Sequence, residues 1–152
     1  RNFWDSPLTV EFDLNVVTDL AFDHRINVGH DQYGVGLGNY ADRKFIGITL
    51  TPGTTAAKVK VTGHSGDGTT ISTALLQDDS FDVNTPTHVK IRFTASTQFE
   101  VFINGTSIGT KSTNMPAGGF GTVDHAMSAF AGTTAAAAKT LRITRGTLKW
   151  ND

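Results

Sequence analysis

The chain has 152 residues, a net charge of −1 and 18% charged residues. That length suits one domain with a sizeable core, and the charge balance gives no electrostatic case for nucleic acid or for an anionic membrane surface. Cysteine is absent, which excludes disulfides, thiol catalysis and thiolate zinc sites and suits an oxidising exterior. No apolar run is long enough for membrane insertion, and the chain, starting at Arg1, reads as a module excised from a larger protein or as a processed product.

From the N-terminus onward the dominant signal is a period of two. Leu8, Val10, Phe12, Leu14 and Val16 alternate with Thr9, Glu11, Asp13 and Asn15, as in a half-buried strand. Phe22, His24, Ile26 and Val28 share the next apolar phase, with Asp23, Arg25 and Asn27 opposite. Strands are predicted at 33–38, 45–50, 58–62 and 71–76, with longer loops at 51–57, 64–70 and 112–124. Between His88 and Thr110 three short strands follow in a row. Val89, Ile91 and Phe93 mark the first and Phe99, Val101 and Ile103 the second. Asn104-Gly105 then suits a type I′ turn, after which the chain doubles back. Residues 127–131 and 140–150 complete roughly ten to twelve strands. The stretch 133–139 is too short to hold a helix alone and reads as a loop or a single turn. In the last strand Leu141 and Ile143 are odd-numbered, whereas Leu148 and Trp150 are even. One extra residue resets the parity, so a β-bulge is expected at Gly146.

The form at 88–110, an alternating strand, a short turn, an apolar strand ending in Asn-Gly and a return strand, resembles the central signature of concanavalin A-like jelly rolls. That superfamily includes laminin G-like and legume-lectin-like modules. The resemblance covers the chain from Phe3-Trp4 to the final strand. It implies a single all-β domain over 1–152, an antiparallel β-sandwich of the jelly-roll type. It also implies that the first and last strands pair, bringing Trp4 and Trp150 to one end, where large aromatics read as structural closure of the sandwich, with a sugar-stacking role as the alternative. Modules of this form bind glycans, proteins or surfaces, and some are glycoside hydrolases or polysaccharide lyases. The hydrolase branch places Glu-x-Asp-x-x-Glu on one strand, which sets its carboxylates for retaining chemistry. Only Glu11 and Asp13 approach this pattern. No third carboxylate follows them, and the one other glutamate is Glu100. They read as a solvated strand face, and no catalytic residue is assigned.

The five histidines, His24, His30, His64, His88 and His125, lack an accompanying Gly-x-Ser-x-Gly elbow. His24 lies on an apolar phase and reads as a hydrogen-bonded core residue. The resemblance also raises calcium, a hard cation held by loop oxygens. Candidate loops lie at 30–32, 39–42, 66–68 and 77–79, with Asp31, Asp42 and Asp67 as the candidate ligands. EF-hand spacing is missing, and turn chemistry by itself favours Asp, Asn and Gly there.

The segment Tyr-Gly-Val-Gly-Leu-Gly-Asn-Tyr at 33–40 is not a dinucleotide loop, because strand-like sequence lies on both sides. Glycines on one strand face let a flat ligand or another backbone approach closely. Sugars are held by an aromatic ring with Asp, Asn and Arg groups on the hydroxyls, which makes Tyr33, Asn39, Tyr40, Asp42 and Arg43 the candidate binding residues. Asn104-Gly105-Thr106 also matches an N-glycosylation acceptor, although the turn alone accounts for it. The expected function is non-catalytic recognition of a glycan or cell-surface ligand, in a secreted, cell-surface or virion-surface adhesion protein. A structural or protein-interaction/oligomerisation module without a sugar site is the alternative, a hydrolase or lyase relative comes third, and a homo-oligomer formed through the parent protein is a further expected association.

Overall fold

The computed structural model describes residues 3–17, 21–29, 43–119, 125–131 and 139–151. A short 3-10 helix, Phe3–Asp5, precedes ten strands among them: β1 (Leu8–Val17), β2 (His24–Gly29), β3 (Lys44–Pro52), β4 (Lys58–Asp67), β5 (Ile71–Asp82), β6 (Thr87–Thr94), β7 (Gln98–Ile103), β8 (Thr106–Lys111), β9 (His125–Phe130) and β10 (Thr140–Trp150). The strand expected at 33–38 and nearly all of the turn expected at 133–139 lie outside the described residues.

Two five-stranded antiparallel sheets result, in the orders β10-β1-β6-β7-β8 and β5-β4-β3-β2-β9. Their facing sides form the core. The odd-phase polar residues of β1 point outward while Leu8, Val10, Phe12, Leu14 and Val16 are buried against Ile26, Val28, Ile46, Ile48 and Leu50 of the other sheet. Each such side chain contributes about 1.5–3 kcal/mol by leaving water, so alternation in sequence becomes layering in space. First and last strands pair, with Leu8 opposite Trp150. Phe3 packs edge-on between Trp4, at 4.7 Å, and Trp150, at 5.4 Å. Trp4 is buried and meets Phe93 at 5.6 Å, so Phe3 and Trp4 close that end of the core, whereas Trp150 is 44% exposed. The Asn104-Gly105 turn has φ of 49° and 84°, both positive as a type I′ turn requires. It is tied to β6 because Asn104 Oδ1 accepts from the His88 N–H at 2.9 Å, and Asn104 N–H donates back to His88 O at 2.8 Å.

Three local expectations are corrected. The bulge residue is Thr144, not Gly146: Asp13 faces Arg145 and Leu14 faces Ile143. Parity shows that one residue is extra between 143 and 148 but does not say which. Gly146 is instead in register with Phe12, and a Cβ there would stand 3.1 Å from Met127 Cε and 3.3 Å from Phe12 Cδ1. Residues 64–67 belong to β4 rather than to a loop, because β3 pairs with all four and β5 with 64–66, which overrides their turn-like composition. Likewise β5 runs through 77–79, so that candidate calcium loop is strand: Asp78 meets Lys60 Nζ at 3.5 Å, and Asp79 accepts from the Thr54 N–H at 2.7 Å.

Candidate functional site

On the second sheet, register puts Arg25 opposite Thr49, Asn27 opposite Gly47, and Gly47 opposite His64. These residues occupy the face turned away from the core, where polar side chains are ordinarily solvated. Here Arg25, Asn27 and His64 are only 5%, 2% and 0% exposed. His64 Nε2 is hydrogen-bonded to Asn27 Oδ1, and its Nδ1 lies 3.0 Å from the Thr49 hydroxyl. The neutral tautomer with its proton on Nε2 satisfies both contacts. Burial, followed by the nearby charges of Arg25 and Lys111, pushes the His64 pKa down to about 3. Glycine at 47 is what admits the imidazole, since a Cβ would fall within 3.0 Å of Ile26 O, His64 Nε2 and Asn27 Oδ1. Arg25 donates from Nη2 to Asp23 Oδ2 at 3.0 Å and from Nε to Asp23 Oδ1 at 3.3 Å. Its Nη1 is buried with no partner, which costs about 1–3 kcal/mol in a folded protein. Phe45 borders the cluster, its ring 5.7 Å from that of His64.

Because β2 ends at Gly29 and β3 starts at Lys44, residues 30–43 join the two strands that carry this cluster. Asn27 stands two residues before that connection, about 7 Å at the rise of a strand. Arg43, half-buried, enters β3 directly. Tyr33, Asn39, Tyr40, Asp42 and the candidate ligand Asp31 lie outside the described residues. Asp67 closes β4. Its Oδ1 accepts from the N–H groups of Thr69 and Thr70, both at 2.8 Å, and its Oδ2 accepts from Asn114 Nδ2 at 3.2 Å. Burial raises the affinity of this carboxyl for a proton, but the hydrogen bonds from Thr70, Asn114 and Thr69 outweigh it and hold the pKa below the usual carboxylate value. Among the described residues no group of three or more His, Cys, Asp or Glu side chains could hold a metal ion. His24 is a core residue as expected: burial first of all lowers its pKa to about 4, against the pull of Asp23 and a backbone hydrogen bond with Thr140.

On the first sheet, Asp13 Oδ1 lies 2.8 Å from His88 Nδ1, and Arg145 Nε donates to Asp13 Oδ2 at 2.8 Å. The His88 hydrogen bond, with Arg145 adding to it, holds Asp13 below its ordinary pKa. A glycosidase acid needs the opposite shift. Asp13 is thus an ionised acceptor, and Glu100 is likewise occupied, accepting from Ser107 Oγ at 2.6 Å and paired with Arg92.

Sequence reading missed the cluster of Arg25, Asn27, Thr49 and His64. Its members sit on the polar phases of their strands, and an alternating pattern does not distinguish a solvated polar face from a covered one. The one available signal was a glycine, Gly47, in the middle of an otherwise branched strand.

Comparison with known proteins now bears on the architecture. Over 95% of this chain and 92% of the other, the fold matches a homodimeric agglutinin from chicken liver, with TM-score 0.59 and 12% identity. The fold is a lectin-like jelly roll. The carbohydrate recognition domain of Emp46p matches with TM-score 0.60 and 12% identity, over 94% of this chain and 71% of that one. A carbohydrate-binding module of the Ruminococcus gnavus IT-sialidase, solved with α2,3-sialyllactose, matches with TM-score 0.55 and 14% identity, over 94% and 75%. No family model and no curated protein sequence matches the chain.

Proposed function

We propose that this jelly roll is a non-catalytic carbohydrate-recognition module whose ligand is held at the connection between β2 and β3. Tyr33 and Tyr40 supply rings for the apolar faces of a sugar, and Asn39, Asp42 and Arg43 bind its hydroxyls. The carrying observation is the covered polar cluster at the base of that connection. Arg25, Asn27, Thr49 and His64 are polar groups held on an outward sheet face at a cost in desolvation, a pattern associated with functional sites. Being buried, they position the connection rather than touch ligand. The lectin-like architecture supports the same reading, and the setting proposed with it is extracellular, at a cell surface or at a virion surface. Calcium would be bound from Asp31 and Asp42, with Asp67 the least available because its oxygens already accept three hydrogen bonds.

A glycan array followed by titration calorimetry tests this. Tyr33→Ala and Tyr40→Ala are each expected to weaken a detected ligand about tenfold, the loss of one ring contact, without moving the melting temperature. Absence of binding to any glycan, together with a stable oligomer by light scattering, would replace this reading with a structural or oligomerisation role. A melting transition unchanged between calcium and chelator would remove calcium from it.

A further inference from the structure

The outward face of the first sheet carries a different chemistry. On β10 and β6 it presents Arg142, Arg145, Lys149, Lys90 and Arg92, and on β1 and β7 it presents Glu11, Asp13 and Glu100. Five cations against three carboxylates leave this face at +2, while the whole chain, with 13 cations and 14 carboxylates, stands at −1; the rest of the molecule is therefore at −3. Two of the five cations are neutralised within the face, Arg145 by Asp13 and Arg92 by Glu100. Among the described residues, Arg142, Lys149 and Lys90 form no ion pair with a carboxylate. Lys90 Nζ lies instead 4.4 Å over the ring of Phe102.

These unpaired cations border two open grooves along β1. One, of about 530 Å³, is lined by Asp13, Asn15, His88, Asn104, Arg142 and Thr144, among others. The second, of about 410 Å³, includes Thr9, Glu11, Lys90, Lys149 and Asn151. From Asn15 to Thr9 the path measures about 20 Å at the rise of a strand, and an unpaired cation stands at each end, since Arg142 is opposite Asn15 and Lys149 opposite Thr9. Asn15 adds a second, independent observation. Its Oδ1 is buried at the groove with no hydrogen-bond partner, although buried amide oxygens are ordinarily satisfied.

We infer that this face is a second ligand surface, one that takes an acidic oligosaccharide along β1. Arg142, Lys90 and Lys149 engage its carboxylate or sulfate groups, while Asn104 and the carboxylates of Glu11 and Asp13 take its hydroxyls, and a turn of the Asn15 amide would bring its unpartnered Oδ1 to one more. A polyanion without hydroxyls, such as polyglutamate, is disfavoured by that same Glu11 and Asp13 column, which runs down the middle of the path and needs hydrogen-bond donors in front of it. Sugar hydroxyls are what ionised acceptors between cations can bind. The inference rests on the glycan-recognition reading but uses residues other than Tyr33 and Tyr40.

Titration calorimetry with dextran, dextran sulfate, polygalacturonate oligosaccharide and polyglutamate tests it. Binding is expected to the sulfated or the carboxylated glycan, with neither dextran nor polyglutamate binding comparably, and to weaken about tenfold or more when salt is raised past the point where the Debye length falls to a few ångströms. Arg142→Gln and Lys149→Gln are each expected to weaken the acidic glycan about tenfold, the scale of a charge-assisted hydrogen bond. Both are exposed, so an unchanged melting temperature keeps the comparison clean. The Tyr33→Ala/Tyr40→Ala double variant is expected to bind the acidic glycan unchanged. Equal binding of polyglutamate would reduce the face to a general polyanion patch and overturn the inference. So would binding of neutral glycans alone at the tyrosine site, an outcome that leaves the proposed function standing. Failure of every glycan would overturn both.

Discussion

The two histidines buried among the described residues, His24 and His64, make acid stability the sharpest test of the packing. In the unfolded chain each titrates near 6.5, whereas in the fold His64 falls to about 3 and His24 to about 4. Below 6.5 the unfolded state therefore binds more protons than the native state, so stability is fully present above that value and falls as the pH drops towards the native pKa values. Moving from about pH 7 to about pH 4.5 gives a loss of ~2.5 kcal/mol for each histidine, ~5 kcal/mol together. Domains of this size have ~5–15 kcal/mol in all, so the protein should stand close to unfolding at the acid end of that interval. Urea denaturation followed by Trp fluorescence, repeated across this range, measures the loss directly. The interval lies at or above the ordinary carboxylate values, and the shifted carboxyls Asp13, Asp67, Asp79 and Glu100 titrate lower still, so they contribute little to the slope. His64→Gln should cost a fixed amount at every pH and cut the acid loss to about half. A urea midpoint that does not move with pH, or an acid loss in His64→Gln equal to that of the unaltered chain, would refute a neutral, buried imidazole at 64.

Two glycine substitutions separate lack of space from backbone conformation. Gly47→Ala drives a Cβ within 3.0 Å of Ile26 O, a backbone atom, and of His64 and Asn27; a destabilisation of about 2–3 kcal/mol is expected in thermal unfolding, and loss of less than half of that would show that the cluster is loosely packed. Gly105→Ala meets nothing within 4 Å but must hold a φ of +84°, so only about 1 kcal/mol should be lost, with the larger effect appearing as reduced amide-exchange protection across β7 and β8.

The fold was legible wherever one strand face meets the core and the other meets water. β1, β6 and β7 show this, and their apolar positions coincide with the buried ones. Legibility declined where pairing decides structure against local composition. Residues 63–68 mix glycine with polar groups, yet 63–66 are strand because a neighbour lies on each side, and 67 because β3 still pairs with it. The bulge was visible as a change of parity, but choosing Thr144 required the partner's register. For function the difficulty was greater. Arg25 and Asn27 of β2 and His64 of β4 come from strands far apart in sequence, and their burial on an outward face is a tertiary fact that no single strand encodes. Aromatic and acidic residues at 33–43 could be proposed as ligand groups by chemistry alone, because sugar recognition draws on a small set of side chains.

The pairing of β1 with β10 also governs when the first sheet can be completed. Leu8 meets Trp150 across a separation of 150 − 8 = 142 residues, while β6, β7 and β8 are joined by short turns and can assemble among themselves. Closing so long a loop is entropically expensive before any contact rewards it. During synthesis β1 therefore leaves the ribosome with one edge unsatisfied until the last eleven-residue strand emerges. Until then its apolar face and open backbone are the segment most exposed to wrong partners, and the final residues of the domain act as its kinetic lock.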